Sequence, residues 1–139
     1  MSKYLMFIIG VGALFFASCK KTTIAADPNC PLDSAHVIGK YKISSIKVKI
    51  VGAETDVTDR FDACAVDDTM NILPRNVYEN IDKGTPSTCN NDYSGNWDLV
   101  DSTLWIDATE YKVVGFNCNS IALAKDSSGF KFKFYYNRY

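Results

Sequence analysis

The sequence has few of the residues on which catalysis and metal binding most often depend. It contains one histidine, His36, among 139 residues. A Ser–His–Asp or Cys–His arrangement has little to be built from when the chain offers one imidazole. No cysteine and histidine spacing matches a zinc site, and the aspartates in residues 56–68 lack the spacing of a calcium-binding loop. We therefore expect no enzymatic activity, no cofactor and no bound metal, and we interpret the acidic segment as a helical turn capped by Asp56 or Thr58.

An excess of one charge is also missing. The chain has 15 lysines and arginines against 16 aspartates and glutamates, so it gives no electrostatic reason to expect nucleic acid as a partner. Proline occurs four times, whereas phenylalanine and tyrosine occur eight times each. Scarce proline with plentiful aromatic residues is typical of a packed β domain and not of a disordered chain.

Long apolar runs are absent beyond the N-terminus. There, Lys3 precedes an apolar stretch from Tyr4 to Phe16, which is too short to cross a bilayer as a helix but has the length of a signal-peptide core. Its end, Leu14-Phe15-Phe16-Ala17-Ser18-Cys19, resembles a bacterial lipobox. This resemblance implies cleavage before Cys19 and attachment of a lipid to Cys19. The alternative is an ordinary secretory signal in which the cysteine falls there by chance.

The lipobox divides the chain into three predicted parts. Residues 1–18 form a signal peptide, residues 19–37 form a lipidated cysteine and an aperiodic tether, and residues 38–139 form one domain. Lys20 and Lys21 follow Cys19 without an acidic run, whereas the surface-export signals of such lipoproteins carry acidic residues there. We therefore expect attachment to the outer membrane facing the periplasm, with the cell surface as the alternative.

Within residues 38–139, apolar and polar side chains alternate in short segments. Tyr41 and Ile43 alternate with lysines, and the apolar phase slips by one residue at Ser44-Ser45, where we expect a β-bulge. Similar segments recur at roughly ten-residue spacing up to a last strand that begins near Phe130. We count eight strands. This pattern predicts an all-β, antiparallel, eight-stranded up-and-down barrel, whose interior holds side chains or one small ligand.

Four cysteines remain once Cys19 is assigned to the lipid. They are Cys30, Cys64, Cys89 and Cys118. An even number in an exported chain of this size predicts two disulfides. The sequence alone leaves all three possible connectivities open.

The order of several motifs is similar to that of a known family. Gly39-Lys40-Tyr41 opens the first strand, Cys64-Ala65-Val66-Asp67-Asp68 follows it, and Gly95-Asn96-Trp97 leads into paired strands. Behind a lipobox, this order resembles the lipocalin-like lipoproteins of Bacteroidetes-type bacteria, over residues 36–139. The resemblance implies a lipocalin-like barrel in which Tyr41 replaces the usual tryptophan. It also implies a disulfide between Cys64 and Cys89, which leaves Cys30 for Cys118.

Most predicted strands place apolar side chains on the face that would line the barrel. If the barrel is open at one mouth, such a lining suits a small hydrophobic ligand, and if it is closed, the same side chains fill the core. We expect a monomeric, lipid-anchored envelope protein that binds a small hydrophobic ligand. The alternative is a filled barrel that serves as a structural module or binds an envelope protein. The predicted ligand-binding residues are Tyr41, Met70, Ile72, Trp97, Leu99, Leu104, Ile106, Leu123, Phe132 and Phe134.

Overall fold

The computed structural model describes residues 23–84, 89–90 and 92–139. The predicted signal peptide and Cys19 lie outside the described residues, so cleavage and lipid attachment stay predictions. Within the described ranges, no helix is both long enough and apolar enough to cross a bilayer.

Antiparallel strands form most of the described chain, because short alternating segments are joined by tight turns. The turns use residues at positive φ, among them Asn76, Asp101 and Gly129, which are the residue types that tolerate this conformation. Nine strands are seen in the described ranges. They are β1 (Gly39–Ile50), β2 (Ala53–Asp56), β3 (Thr69–Leu73), β4 (Val77–Ile81), β5 (Tyr93–Val100), β6 (Thr103–Ile106), β7 (Thr109–Asn117), β8 (Ser120–Ser127) and β9 (Phe130–Arg138).

Eight of these strands close into a barrel with the order β1-β3-β4-β5-β6-β7-β8-β9. Closure depends on β1, which pairs with β3 near its start and with β9 along most of its length. The register of β1 against β9 shifts between Ile43 and Ser45, so the predicted bulge is confirmed at the point where the strand bends. The predicted all-β, antiparallel, eight-stranded up-and-down barrel is therefore confirmed.

The ninth strand, β2, lies outside the ring. It folds back on the end of β1 through the turn Val51-Gly52, so that Ile50 lies opposite Ala53. The sequence pattern predicts no strand in residues 53–56, because this segment is polar and irregular, and that prediction was wrong. All four residues of β2 are exposed, and the strand therefore shows no apolar alternation.

Register decides which side chains point into the barrel, because directly paired residues share one face of a sheet. Val48 lies opposite Phe132, and both point inward. Their neighbours Lys47 and Lys49 lie opposite Lys133 and Lys131 and therefore point outward. The lysine-bearing face of the first and last strands is the outer surface, as the alternation predicts.

The barrel has two different ends. The closed end contains the start of β1 and the end of β9, and the mouth contains the turns at 51–52, 107–108 and 128–129. At the closed end, Val37 is fully buried and Cys30 is 3% exposed. The Cys30–Cys118 disulfide, with a Cα–Cα distance of 5.6 Å, holds the segment before β1 against the turn between β7 and β8. The latter part of the predicted tether thus packs as part of the domain.

Arg138 organises the backbone at the closed end. Its guanidinium donates hydrogen bonds of 3.0 Å to the carbonyls of Cys118 and His36, and also donates to the Ile38 carbonyl. The same group lies 5.5 Å from the ring centroid of Tyr41, and a side chain at Gly39 would occupy its place. One cation therefore joins three chain segments that are far apart in sequence.

Two short helices lie beside the mouth. A 3-10 helix, Thr58–Arg60, follows Asp56, whose carboxylate accepts a hydrogen bond of 2.9 Å from the Thr58 backbone N–H. A second turn, α1 (Ala63–Val66), is capped by Asp62, which accepts a 3.0 Å hydrogen bond from the Cys64 backbone N–H. The N-cap position of the 3-10 helix is Val57, which makes no side-chain cap hydrogen bond, so the predicted cap at Asp56 or Thr58 was wrong. The carboxylate that caps a helix in this segment is Asp62.

The second disulfide joins α1 to the loop after β4. It links Cys64 and Cys89, with a Cα–Cα distance of 5.5 Å. The two disulfides of the described residues therefore have the connectivity that the family resemblance implied.

Candidate functional site

The barrel interior is filled from the closed end to about its middle. Tyr41, Ile72 and Leu104 are fully buried there, and Trp97 is 4% exposed. The Trp97 indole N–H donates a 2.8 Å hydrogen bond to the Leu73 carbonyl, so even its polar atom is partnered. Eight of the ten predicted ligand-binding residues belong to this packed cluster or contact it. They are Tyr41, Met70, Ile72, Trp97, Leu99, Leu104, Ile106 and Leu123.

Near the mouth, a cavity of about 230 Å³ remains in the interior formed by the described residues. Phe132 and Phe134, the other two predicted residues, line it. Four further residues complete the lining and were not predicted as ligand-binding residues. They are Phe61, Tyr111, Lys125 and Ser127.

One wall of the cavity consists of three phenylalanine rings. Phe61, which follows the 3-10 helix, meets the rings of Phe132 and Phe134 edge-on, at centroid distances of 6.1 and 6.3 Å. Behind them lie Ile46 and Val48 of β1. Edge-to-face contacts are a favourable arrangement of aromatic rings. The wall is thus apolar, and β1 and β9 hold two of its rings in place.

The other wall carries the polar groups of the cavity. Lys125 points inward because it continues the alternation of Ile121 and Leu123 along β8, and it lies opposite Phe132 of β9. Its Nζ lies 5.4 Å from the ring centroid of Tyr111. Burial raises the pKa of the Tyr111 phenol, which therefore stays neutral at physiological pH. The cavity thus combines phenyl rings, a neutral phenol and one ammonium group.

The inner tyrosines below the cavity are held in the neutral form. Burial, followed by the proximity of Tyr111, raises the pKa of Tyr78 to about 12. Burial also raises the pKa of Tyr136. No negative charge therefore arises from these phenols at neutral pH.

An acidic cluster occupies the opposite side of the mouth. One carboxylate oxygen each from Asp67, Asp68 and Asp82 lies within 4.8 Å of the others. Asp68 is 8% exposed and accepts a 2.6 Å hydrogen bond from the Asn80 side-chain amide. Asp68 lies just before β3, and Asp82 lies just after β4. In the order of the eight barrel strands, β3 and β4 lie across the barrel from β7 and β8. The mouth therefore carries a cluster of carboxylates on the side across the barrel from Lys125.

Asp68 is expected to destabilise the protein at neutral pH. Burial, followed by the neighbouring Asp82, Asp67 and Asp92, raises the pKa of this carboxyl above 3.8, while the Asn80 hydrogen bond opposes the rise. The folded state therefore binds the proton more strongly than the unfolded state does. The penalty is absent below pH 3.8, grows as the pH rises through the folded-state pKa, and is constant above it.

The Asp68→Asn variant should accordingly melt a few degrees higher than the parent at pH 7, and the difference should vanish in acid. Differential scanning calorimetry across pH measures this, with Asp59→Asn as a control, since Asp59 is exposed. A variant that is equally or less stable than the parent at pH 7 contradicts the expected sign.

A larger depression of about 610 Å³ lies on the outside of the barrel. Glu110, Lys112 and Val114 line it on β7, at positions that alternate with the inward-facing residues Tyr111 and Val113. Lys125 of β8 borders both this depression and the mouth cavity. The depression has a polar, open lining and no contact with the aromatic wall. We therefore take the smaller cavity at the mouth as the candidate site.

Comparison with protein-family models gives no match, and comparison with curated proteins likewise gives none.

Proposed function

We propose that the protein is a lipid-anchored protein of the bacterial cell envelope that binds a small hydrophobic ligand at the barrel mouth. The observation that carries this proposal is the cavity between Phe61, Phe132 and Phe134, beside the packed cluster of the barrel interior. Apolar cavities with a few polar groups are the usual form of a small-molecule site. The lipobox-like segment ending at Cys19 supports the anchor and the envelope location. The proposed role is binding without catalysis.

The proposal is tested by filling the cavity. Ser127 points into it from the end of β8, whereas its neighbour Asp126 points outward. Fluorescence titration with the uncharged probe N-phenyl-naphthylamine should show saturable binding to the Cys19→Ser chain exported behind an ordinary cleavable signal in place of residues 1–18. This exported Cys19→Ser chain keeps every described residue and carries no lipid. Ser127→Trp should weaken that binding by about tenfold or more, while Asp126→Trp should leave it unchanged.

Equal binding by the parent and Ser127→Trp would remove the cavity from consideration as the site. The melting temperatures of both tryptophan variants show whether a loss of binding follows from unfolding instead of occlusion.

A second candidate is an interaction module that presents the rim of the mouth to another envelope protein. Val51 is fully exposed at a φ of 44°, and Ile50 and Phe130 beside it are 43% and 48% exposed. A β-branched residue in this backbone region is uncommon and costs energy. Asparagine adopts positive φ in such turns more readily. This candidate predicts that Val51→Asn stabilises the barrel by about 1 kcal/mol and abolishes capture of a partner. The cavity proposal predicts that the same variant still binds the probe.

A further inference from the structure

We infer that the ligand of the mouth cavity carries an anionic group, a carboxylate or a sulfonate, and that Lys125 recognises it. The inference rests on the proposed function and specifies its ligand class as an apolar, ring-containing acid. It is carried by the position, the partners and the surroundings of Lys125.

The position of Lys125 is unusual for a lysine. The other strand lysines of β1 and β9 alternate with inward-facing residues and point outward, as expected for solvated charges. Lys125 instead occupies an inward position, next in line after the fully buried Ile121 and the almost fully buried Leu123, and it is half-buried. A buried ammonium group loses part of its hydration, and this loss must be compensated by a partner.

The protein itself compensates this loss only in part. The ion pairs of the described residues are His36–Asp33 and Lys133–Glu54, and neither includes Lys125. Its contact is with the face of the Tyr111 ring. That contact is attractive but leaves hydrogen-bond donors of the ammonium group available, since this group has three of them.

The remaining groups of the cavity define the other half of the ligand. Phe132 lies directly opposite Lys125 across the β8–β9 pair, and Phe61 and Phe134 continue the apolar wall from there. An anion at Lys125 would therefore have its apolar body against phenyl rings. The cavity of about 230 Å³ is smaller than typical drug-binding sites, so it suits one ring or two fused rings, and a larger molecule would project through the mouth.

The acidic cluster favours one orientation of the ligand in the cavity. Asp68 and Asp82 lie across the barrel from β8, because β4 and β8 are four places apart in the ring of eight strands. They repel an anion from their side of the mouth and favour its placement at Lys125. Among the residues that line the cavity, Lys125 carries the one positive charge.

Two probes with the same ring system test the inference. Anilinonaphthalenesulfonate is the sulfonated form of N-phenyl-naphthylamine, so the pair differs by the anionic group. We expect the exported Cys19→Ser chain to bind the sulfonate more tightly than the uncharged probe. Lys125→Met, which keeps an unbranched apolar side chain without the ammonium group, should weaken sulfonate binding by about tenfold and leave binding of the uncharged probe within about twofold.

Two further variants complete the comparison. Lys125→Arg retains the charge and should retain the preference for the sulfonate. Lys131→Met removes a lysine from the outer surface near the mouth and should change neither affinity.

The outcomes separate this inference from the proposed function. If the parent binds both probes equally and Lys125→Met changes neither, the anionic group is not recognised, although the cavity still binds. If Lys125→Met weakens both probes equally, Lys125 contributes packing and not charge recognition. If the parent binds neither probe, the proposed function itself fails.

Discussion

Replacing Cys30 and Cys118 together with alanine should lower the free energy of unfolding by about 4–5 kcal/mol. This bond spans a sequence separation of 88 residues, so removing it frees a long loop in the unfolded chain. It also joins the buried Cys30 to the turn between β7 and β8, so its loss releases the segment that closes one end of the barrel. Urea denaturation followed by tryptophan fluorescence measures the change.

The second disulfide provides the matched control. Cys64 and Cys89 are separated by 25 residues, and replacing both with alanine should cost about 3–4 kcal/mol. It joins elements beside the mouth and leaves the closed end intact. An equal or larger loss from this pair would contradict the role assigned to the Cys30–Cys118 bond.

The Tyr41→Ala variant should lose about 3–5 kcal/mol of stability. Tyr41 is fully buried, and its ring packs at the centre of the closed end under the Arg138 guanidinium. The truncation removes most of a large side chain from a packed interior, and the surroundings relax only in part to fill the cavity.

The Tyr41→Phe variant separates packing from hydrogen bonding. The Tyr41 hydroxyl donates a 2.8 Å hydrogen bond to the Val37 carbonyl, and its removal leaves a buried acceptor unpaired, at a cost of about 1–3 kcal/mol. Val114→Ala, on the exposed outer face, should change stability by less than about 0.5 kcal/mol. If Tyr41→Ala costs no more than Tyr41→Phe, the ring does not support the closed end.

The strands were largely predictable, because each inward face alternates with an outward one. The last strand shows this most clearly, since Phe132 and Phe134 alternate with Lys131 and Lys133. The phase slip at Ser44-Ser45 located the bulge. β2 gave no such signal, since a strand exposed along its whole length has no apolar face for the sequence to mark.

The candidate site was predictable only in part, because alternation gives the direction of a side chain and not its depth in the barrel. Leu104 and Phe132 both point inward, but Leu104 packs in the filled interior and Phe132 lines the cavity. Depth depends on strand tilt and register around the whole ring. Phe61 stands alone in a polar segment, and no periodic pattern surrounds it.

The inward position of Lys125, by contrast, could have been predicted from the sequence. The sequence pattern predicts the penultimate strand over residues 119–124, whereas the observed strand β8 continues to Ser127. Extending the alternation of Ile121 and Leu123 by two residues would have placed Lys125 inside the barrel. The segment Asp126-Ser127-Ser128-Gly129 favoured an early turn, and hairpin pairing with β9 overrode that local preference.

Native mass spectrometry of the exported Cys19→Ser chain, mixed with an extract of its own cell envelope, tests the central claim most directly. The account predicts a discrete added mass that is lost on denaturation and is absent from the Ser127→Trp variant. An added mass that Ser127→Trp retains, or a parent chain that stays unmodified while binding neither probe, would contradict a ligand site at the barrel mouth.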